Sequence, residues 1–142
     1  MAEQVSVFIE NKPGRLNAIT ALLRERGIDI RAMTIADHRD YGVVKLLVSD
    51  PHAARSVLTD HGFAAALKPI LATAIEDQPG GLHGLLEILA ENQINVLDAY
   101  GFVVEPRHWA VWCMEVADPV ETARLVTARG FRVLDDSDLY RV

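Results

Sequence analysis

The fold is decided by the stretch Glu10-Asn11-Lys12-Pro13-Gly14-Arg15-Leu16, which recurs 66 residues later as Glu76-Asp77-Gln78-Pro79-Gly80-Gly81-Leu82. At the same spacing, Ile28-Asp29-Ile30 recurs as Ile94-Asn95-Val96. Farther along, Asp50-Pro51 recurs as Asp118-Pro119, now 68 residues later. The chain is therefore one unit written twice. The second copy has gained two residues, and we place them at the hairpin tip, residues 104–108, because hairpin tips tolerate insertions well.

Each copy shows the same order of elements. β-branched and aromatic residues at 5–9 predict a strand. Apolar residues at 16, 19, 22 and 23 have the spacing of a one-sided helix, which Gly27 ends. Strands at 28–36 and 43–48 follow, then a helix from Pro51 to about residue 61, capped by Asp50, and a strand at 63–66. The second copy predicts strand 70–76, helix 80–91, strands 95–104 and 108–116, helix 119–128 and strand 131–134.

This βαββαβ order predicts an α+β fold in which two helices cover one face of a four-stranded antiparallel sheet, the ferredoxin-like arrangement. We expect two domains, residues 1–67 and 68–142. A single copy is too small to bury much core. The linker Leu67-Lys68-Pro69 is short. We therefore expect the repeats to pack side by side into a continuous antiparallel sheet with the helices on one face, which hides two sheet edges.

The composition argues against several classes of protein. Half of the 142 residues are hydrophobic, which is typical of a globular core. The net charge is −6 and Lys and Arg do not cluster, so we expect no nucleic-acid partner. The histidines lack zinc-ligand spacing, so we expect no metal and no cofactor. No signal peptide is recognisable and no apolar stretch approaches the ~20 residues of a membrane span, so we expect a cytoplasmic protein without membrane contact.

No catalytic arrangement is recognisable. The sequence contains no nucleophile elbow, no Walker loop and no glycine-rich dinucleotide motif. The single cysteine, Cys113, lies among apolar strand residues, where a thiol usually behaves as a small hydrophobe. Asp135, Asp136 and Asp138 are typical of a solvated acidic tail rather than a metal site. We therefore expect a protein that is not an enzyme.

The third strand of each copy alternates between two faces. We expect the helices to cover the face that carries Val44, Leu46 and Val48 in the first copy and Trp112, Met114 and Val116 in the second. The opposite face of the second copy carries Trp109, Val111, Cys113 and Glu115. That face is too apolar for open water along its whole length. It is either an irregular surface or an oligomer contact.

The paired motifs resemble the ACT domain, whose signature is a strand, Asp or Asn, Pro-Gly-x-Leu, a helix, and Gly-hydrophobic-Asn/Asp-Ile. The resemblance covers about residues 3–66 and 70–136. It implies a non-catalytic regulator that binds a small amino acid at an interface between ACT domains and modulates a metabolic enzyme or regulator. The chain looks most like free-standing tandem ACT proteins of bacteria. The partners implied are an amino-acid effector and either a second copy, as a homodimer, or a partner enzyme.

The loop chemistry suits an amino acid. A helix N-terminus attracts a carboxylate, and glycine lets it approach the backbone. Asn and Asp oxygens accept from an ammonium group, and we expect Asp29 and Asn95 to lie beside the loop. The predicted ligand-binding residues are Asn11, Pro13, Gly14, Arg15, Leu16, Asp29 and Ile30, and in the second copy Asp77, Pro79, Gly80, Gly81, Leu82, Asn95 and Val96.

Other interpretations stay open. Asn11 and Asp77 also suit a turn before Pro-Gly. Arg15 either pairs with the ligand carboxylate or is solvated, and Gly81 replaces it in the second copy. The copies therefore predict two non-identical sites. The alternative function is a regulatory subunit or scaffold with a vestigial ligand site, acting through the face that carries Trp109, Val111 and Cys113.

Overall fold

A computed structural model describes residues 1–141 of the chain. These residues divide into two units. Repeat 1 is Glu3–Lys68, and repeat 2 comprises Met1–Ala2 and the described residues from Pro69 onward.

Repeat 1 contains two helices and an antiparallel sheet. Its elements are β1 (Ala2–Glu10) from Glu3 onward, α1 (Arg15–Glu25), β2 (Ile30–Asp37), β3 (Tyr41–Val48), α2 (Pro51–Asp60) and the first part of β4 (Ala64–Glu76). Strand β3 lies between β1 and β2 and pairs antiparallel with both.

Repeat 2 has the same layout with an additional helix. After the second part of β4 come α3 (Gly81–Glu91), β5 (Asp98–Glu105), β6 (Trp109–Glu115), α4 (Pro119–Ala128), β7 (Val133–Leu134) and α5 (Asp136–Tyr140). Strand β6 pairs antiparallel with β4 and β5, and β7 pairs with β4. The predicted α+β class and the repeated βαββαβ order are confirmed.

Strand β4 differs from the prediction. The sequence predicted strands at 63–66 and 70–76 with a linker between them, but residues 64–76 form one strand. The linker contains no Gly, Asn or Asp that would favour a turn. Pro69 moreover favours an extended conformation at the residue before it. The predicted break is therefore wrong.

Helices α2 and α4 begin in the same way. The carboxylate of Asp50 accepts a hydrogen bond from the Ala53 backbone N–H at 3.0 Å, and that of Asp118 accepts from the Glu121 backbone N–H at 3.0 Å. Each helix has proline in its first turn, where no N–H donor is needed. The predicted Asp50 cap is confirmed.

The helices cover the predicted face of each sheet. Val44, Leu46 and Val48 belong to the buried core of repeat 1, and Met114 and Val116 belong to that of repeat 2. Trp112 is half-buried and packs against the same core. The alternation pattern thus assigned this face correctly.

The opposite face of β6 is not an exposed surface. Val111 and Cys113 are both 0% exposed within the single chain. The expectation of an irregular surface or an oligomer contact is therefore wrong for these two residues, while Trp109 remains half-buried. Alternation identifies the two faces of a strand, but it does not reveal which other parts of the chain cover them.

The acidic segment near the C-terminus forms helix α5. The Asp135 carboxylate accepts from the Asp138 backbone N–H at 2.8 Å, and the Asp138 carboxylate accepts from the Asp135 backbone N–H at 3.1 Å. Leu139 is buried at 1% exposure. The three aspartates keep contact with solvent as predicted, but the prediction of a tail missed the helix, because a helix of five residues is too short to show periodicity.

The two-residue insertion lies at the predicted hairpin. Asp37 pairs with Gly42 in repeat 1, and its counterpart Val103 pairs with Ala110 in repeat 2. The register then shifts between Val103 and Glu105. The extra residues therefore extend β5 as an irregular end of the strand, of the kind that a β-bulge produces.

Candidate functional site

Asn11, the first predicted ligand residue, is hydrogen-bonded inside repeat 1. Its side-chain Nδ2 donates to Oδ1 of Asp37 at 2.8 Å and to the backbone oxygen of Arg39 at 3.0 Å. The same Asp37 oxygen accepts from the Arg39 backbone N–H at 2.8 Å. These bonds connect the β1–α1 loop to the tip of the β2–β3 hairpin.

Asp77 makes the corresponding connection in repeat 2. Its Oδ2 accepts from the Arg107 backbone N–H at 2.8 Å. Arg107 and its counterpart Arg39 both have positive φ, +66° and +71°. In each repeat the backbone N–H of this arginine donates to a carboxylate, which belongs to Asp37 in repeat 1 and to Asp77 in repeat 2. Repeat 2 has Val103 at the position of Asp37, so the carboxylate comes from the other side of the contact. This explains why the amide and the carboxylate differ between the copies, and it supports turn chemistry for both positions.

Helices α1 and α3 begin without a side-chain cap among the described residues. Their N-cap residues are Gly14 and Gly80, with φ of +90° and +88°. Only glycine adopts this left-handed conformation without strain. Unlike Asp50 and Asp118, these glycines offer no side-chain acceptor, so no capping carboxylate opposes the positive end of the helix dipole, which attracts anions. In α3 the Gly81 N–H already donates to the Gln78 backbone oxygen at 3.0 Å, which leaves the following residues of the first turn to face an anion.

Asp29 and Asn95 do not lie beside the loops of their own repeats. The Asp29 backbone N–H donates to Ser49 Oγ at 2.9 Å, just beyond the end of β3, whereas Tyr41 at the start of β3 pairs with Glu10 beside the loop. The eight residues of β3 place these ends about 23 Å apart. Asn95 likewise follows the far end of α3, about 16 Å along the helix axis. The expectation was wrong because the helix reverses the chain, so the second strand starts at the opposite end of the sheet.

Several other predicted residues have structural roles. Leu16 and Ile30 pack against the repeat 1 core, and Val96 packs against the repeat 2 core. Oδ2 of Asp29 lies 3.4 Å from Nη1 of Arg31, so the two side chains form an ion pair. Asn95 lines a separate concave surface of about 650 Å³ near the start of α4. Pro13 and Pro79 are exposed, and Leu82 is half-buried.

Repeat 2 contains a cleft of about 670 Å³ at the start of α3. A volume in this range is typical of small-molecule sites. The end of β4, the first turn of α3, the start of β6 and the α4–β7 connection form its walls, with Glu76, Gly80, Gly81, Gly84, Trp109 and residues 129–132. Of the predicted ligand residues, the cleft thus contains Gly80 and Gly81. The signal for the others was available in the comparison of copies, because Gly84 and Arg132 replace Ala18 and Ala64.

The cleft is open because small residues replace larger ones. Gly81 and Gly84 stand where repeat 1 has Arg15 and Ala18. The Arg15 guanidinium carbon lies 5.8 Å from the centre of the Phe63 ring, as in a cation–π contact. In repeat 1 an arginine side chain therefore covers the aromatic ring whose counterpart lines the cleft of repeat 2.

The two glycines of the cleft differ in what they tolerate. A Cβ on Gly81 would overlap the backbone oxygen of Glu76, so the local backbone requires glycine there. A Cβ on Gly84 would lie 3.8 Å from Cζ of Phe131, an ordinary van der Waals distance. Gly84 therefore leaves free space rather than satisfying a backbone constraint.

Charges of both signs surround the cleft. Glu76 is exposed at its edge and accepts a hydrogen bond from Gln78. Arg129 Nη1 lies 3.2 Å from Glu91 Oε2, and Arg132 Nη2 lies 3.1 Å from Asp138 Oδ1. A carboxylate acceptor, the N–H groups of a helix N-terminus and two guanidinium groups together suit a zwitterion.

Two buried polar groups lie on neighbouring strands of the same repeat. Thr73 and Trp112 are direct cross-strand partners on β4 and β6. Thr73 Oγ1 and Trp112 Nε1 are buried and have no hydrogen-bond partner among the described residues. Their counterparts in repeat 1, Val7 and Val44, are apolar.

Cys113 is unsuited to nucleophilic chemistry. Burial raises the pKa of its thiol from 9.0 to about 12, so the reactive thiolate is scarce at neutral pH. Within residues 1–141, no group of three or more His, Cys, Asp or Glu side chains is placed to hold a metal ion. The helices of this part of the chain include none that is long and apolar enough to cross a membrane.

Two βαββαβ units, each with two helices over an antiparallel sheet, define a tandem ferredoxin-like protein. The chain belongs to the family described as ACT domain pair, whose model matches residues 1–142. No curated protein matches the chain.

Several solved structures resemble the chain along most of its length, among them the following three. Protein BT0572 from Bacteroides thetaiotaomicron is 28% identical, with a TM-score of 0.92, over 99% of this chain and 96% of its own. The ligand-free regulatory subunit of aspartate kinase from Thermus thermophilus is 16% identical, with a TM-score of 0.64, over 90% and 92%. The regulatory subunit of aspartate kinase from Thermus flavus is 18% identical, with a TM-score of 0.56, over 89% and 90%. The two aspartate kinase subunits show the shared fold.

Proposed function

We propose that the protein is a non-catalytic regulator that binds a small amino acid in the repeat 2 cleft and thereby modulates a metabolic enzyme or regulator. The observation that carries this proposal is the cleft of about 670 Å³ at the uncapped start of α3. The first-turn N–H groups of α3 that follow Gly81 suit an α-carboxylate, and Glu76 suits a cationic group of the ligand. Gly84 leaves free space where repeat 1 has Ala18, and Gly81 brings no side chain where repeat 1 has Arg15.

Family membership supports the regulatory part of the proposal. Two proteins of the same fold are named as regulatory subunits of aspartate kinase. A ligand changes the action of such a protein only if it binds two states of it, or of its complex, with different affinities. The scaffold alternative loses much of its support, because Val111 and Cys113 of its proposed contact face are buried in the single chain.

A thermal-shift screen against the twenty amino acids tests the proposal. A ligand at one hundred times its dissociation constant should add about 2.7 kcal/mol to the free energy of unfolding. Gly84→Met would place a long side chain in the cleft and should abolish the shift. The matched control is Ala18→Met at the counterpart position of repeat 1, which should retain it. Absence of a shift with every amino acid, or an equal shift with Gly84→Met, would contradict the proposal.

A further inference from the structure

Repeat 1 has a guanidinium group, that of Arg15, at a position where repeat 2 has Gly81. The guanidinium of Arg15 lies over Phe63 at 5.8 Å from the ring centre. Arg15 Nε is buried and has no hydrogen-bond partner among the described residues, so the ring is an important part of its surroundings. Guanidinium groups favour the faces of aromatic rings because the ring quadrupole attracts a cation.

Two cationic residues near a glutamate in repeat 1 are replaced by uncharged residues in repeat 2. In repeat 1, Lys12 Nζ lies 2.9 Å from the Glu10 carboxylate. The hydrogen bond and charge of Lys12, with a smaller contribution from Arg15, hold the pKa of Glu10 below its ordinary value. Repeat 2 keeps the glutamate as Glu76, but the counterparts of the two cations are Gln78 and Gly81, which carry no charge.

The aromatic ring is kept as well. Phe131 is the counterpart of Phe63 and lines the cleft. The arginines nearby have carboxylate partners of their own, since Arg129 pairs with Glu91 and Arg132 pairs with Asp138. Repeat 2 therefore retains the ring that lies under a guanidinium in repeat 1 and the glutamate whose pKa that guanidinium helps to lower, and it has an open cleft and no Arg15 side chain.

We infer that the repeat 2 cleft selects amino acids with a cationic side chain, whose guanidinium or ammonium group rests on Phe131 near Glu76. This inference rests on the proposed function and specifies its class of ligand. The α-carboxylate takes the N–H groups at the start of α3, and the side-chain cation takes the place that Arg15 has in repeat 1.

Isothermal titration of the full chain with three probes tests the inference. L-Arginine carries the guanidinium, L-citrulline has nearly the same shape without the charge, and L-leucine lacks both. A cation–π contact with a nearby carboxylate predicts that arginine binds about tenfold or more tightly than citrulline. Leucine is expected to bind no better than citrulline.

A matched pair of variants tests whether the Phe131 ring causes the preference for arginine over citrulline. Phe131→Leu keeps an apolar side chain but removes the ring face, and it should reduce the preference for arginine over citrulline to about threefold or less. Phe63→Leu makes the same change in repeat 1 and should leave the preference unchanged. Circular dichroism verifies that both variants fold.

The outcomes separate the inference from the proposed function. If leucine or citrulline binds as tightly as arginine, the inference is overturned and amino-acid binding stands. If the preference for arginine survives Phe131→Leu, the cation does not rest on this ring and the inference is overturned as well. If none of the twenty amino acids binds, the proposed function fails and the inference fails with it.

Discussion

Replacing Thr73 by valine should stabilise the protein. The Thr73 side chain is 0% exposed, and its hydroxyl has no hydrogen-bond partner among the described residues. The counterpart position in repeat 1 is Val7, which is also fully buried. Valine has nearly the same shape as threonine, so the change removes the hydroxyl without leaving a cavity.

The size of the effect follows from the burial. Burying a hydroxyl without a hydrogen bond costs about 1–3 kcal/mol in measured protein variants. Both residues are β-branched and suit a strand, so the strand propensity changes little. We expect Thr73→Val to raise the free energy of unfolding by about 1–3 kcal/mol. Each kcal/mol corresponds to roughly 2–8 °C in melting temperature for domains of this size.

Urea unfolding followed by circular dichroism measures this effect. The midpoint should rise while the slope of the free energy with urea stays the same, because the surface exposed on unfolding does not change. Val7→Thr is the reverse substitution at the counterpart position. It should lower the free energy of unfolding by a similar amount, since it introduces a hydroxyl into the repeat 1 core.

A loss of stability in Thr73→Val would refute the reasoning. It would mean that the hydroxyl forms a hydrogen bond in solution that compensates its burial, since removing a satisfied group costs about 1 kcal/mol. Val7→Thr identifies the cause, because a loss in both variants would leave Thr73 as a satisfied polar group and Val7 as an ordinary core residue.

Three further changes give separate tests. Gly84→Ala should raise the free energy of unfolding by about 0.5–1 kcal/mol, because alanine has the higher helix propensity. Gly81→Ala should lower the free energy of unfolding by about 1–3 kcal/mol, because the new Cβ would overlap the backbone oxygen of Glu76. Thermal melts compare the two variants, and equal effects would contradict the roles assigned to these glycines. Burial raises the pKa of Cys113 from 9.0 to about 12, so the thiol ionises at lower pH in the unfolded protein than in the folded one. The contribution of Cys113 to stability should therefore fall as the pH rises from 9.0 towards 12. Measured by urea unfolding, the free energy of unfolding of Cys113→Ala should depend less on pH in this range than that of the parent. Asp118→Ala should lower the free energy of unfolding by about 1 kcal/mol through loss of the α4 cap, and an unchanged midpoint in urea would contradict this.

The repeated motif predicted the helix start at the candidate site, with Gly80 and Gly81, but not the rest of the cleft lining. Gly14 and Gly80 were predicted at the starts of helices, and both have the left-handed conformation that follows from their position. The difference between Arg15 and Gly81 predicted non-identical copies, and this pair now distinguishes a filled position from an open cleft. The contributions of Gly84 and Phe131 were missed: the replacement of Ala18 by Gly84 was visible in the sequence, but Phe131 matches Phe63, and only the tertiary structure shows that both residues line one cleft.

The placement of Asp29 and Asn95 shows a limit of motif matching. Both residues belong to the repeated pattern, so the sequence grouped them with the Pro-Gly loop. An intervening helix carries the chain to the other end of the sheet, and nearness in a motif then no longer means nearness in space. The swap of Asn11 and Asp77 was visible in the sequence, whereas its cause required the hydrogen bonds of the hairpin tip.

The sequence by itself determined the local structure and the duplication. Strand alternation, helix periodicity and Asp-Pro caps depend on residues within a few positions of one another, and such short-range patterns can be read directly. Only the tertiary structure decided that Val111 and Cys113 are buried and that repeat 2 holds an open cleft. Burial and cavities depend on which distant parts of the chain meet, and that information is absent from any short stretch of sequence.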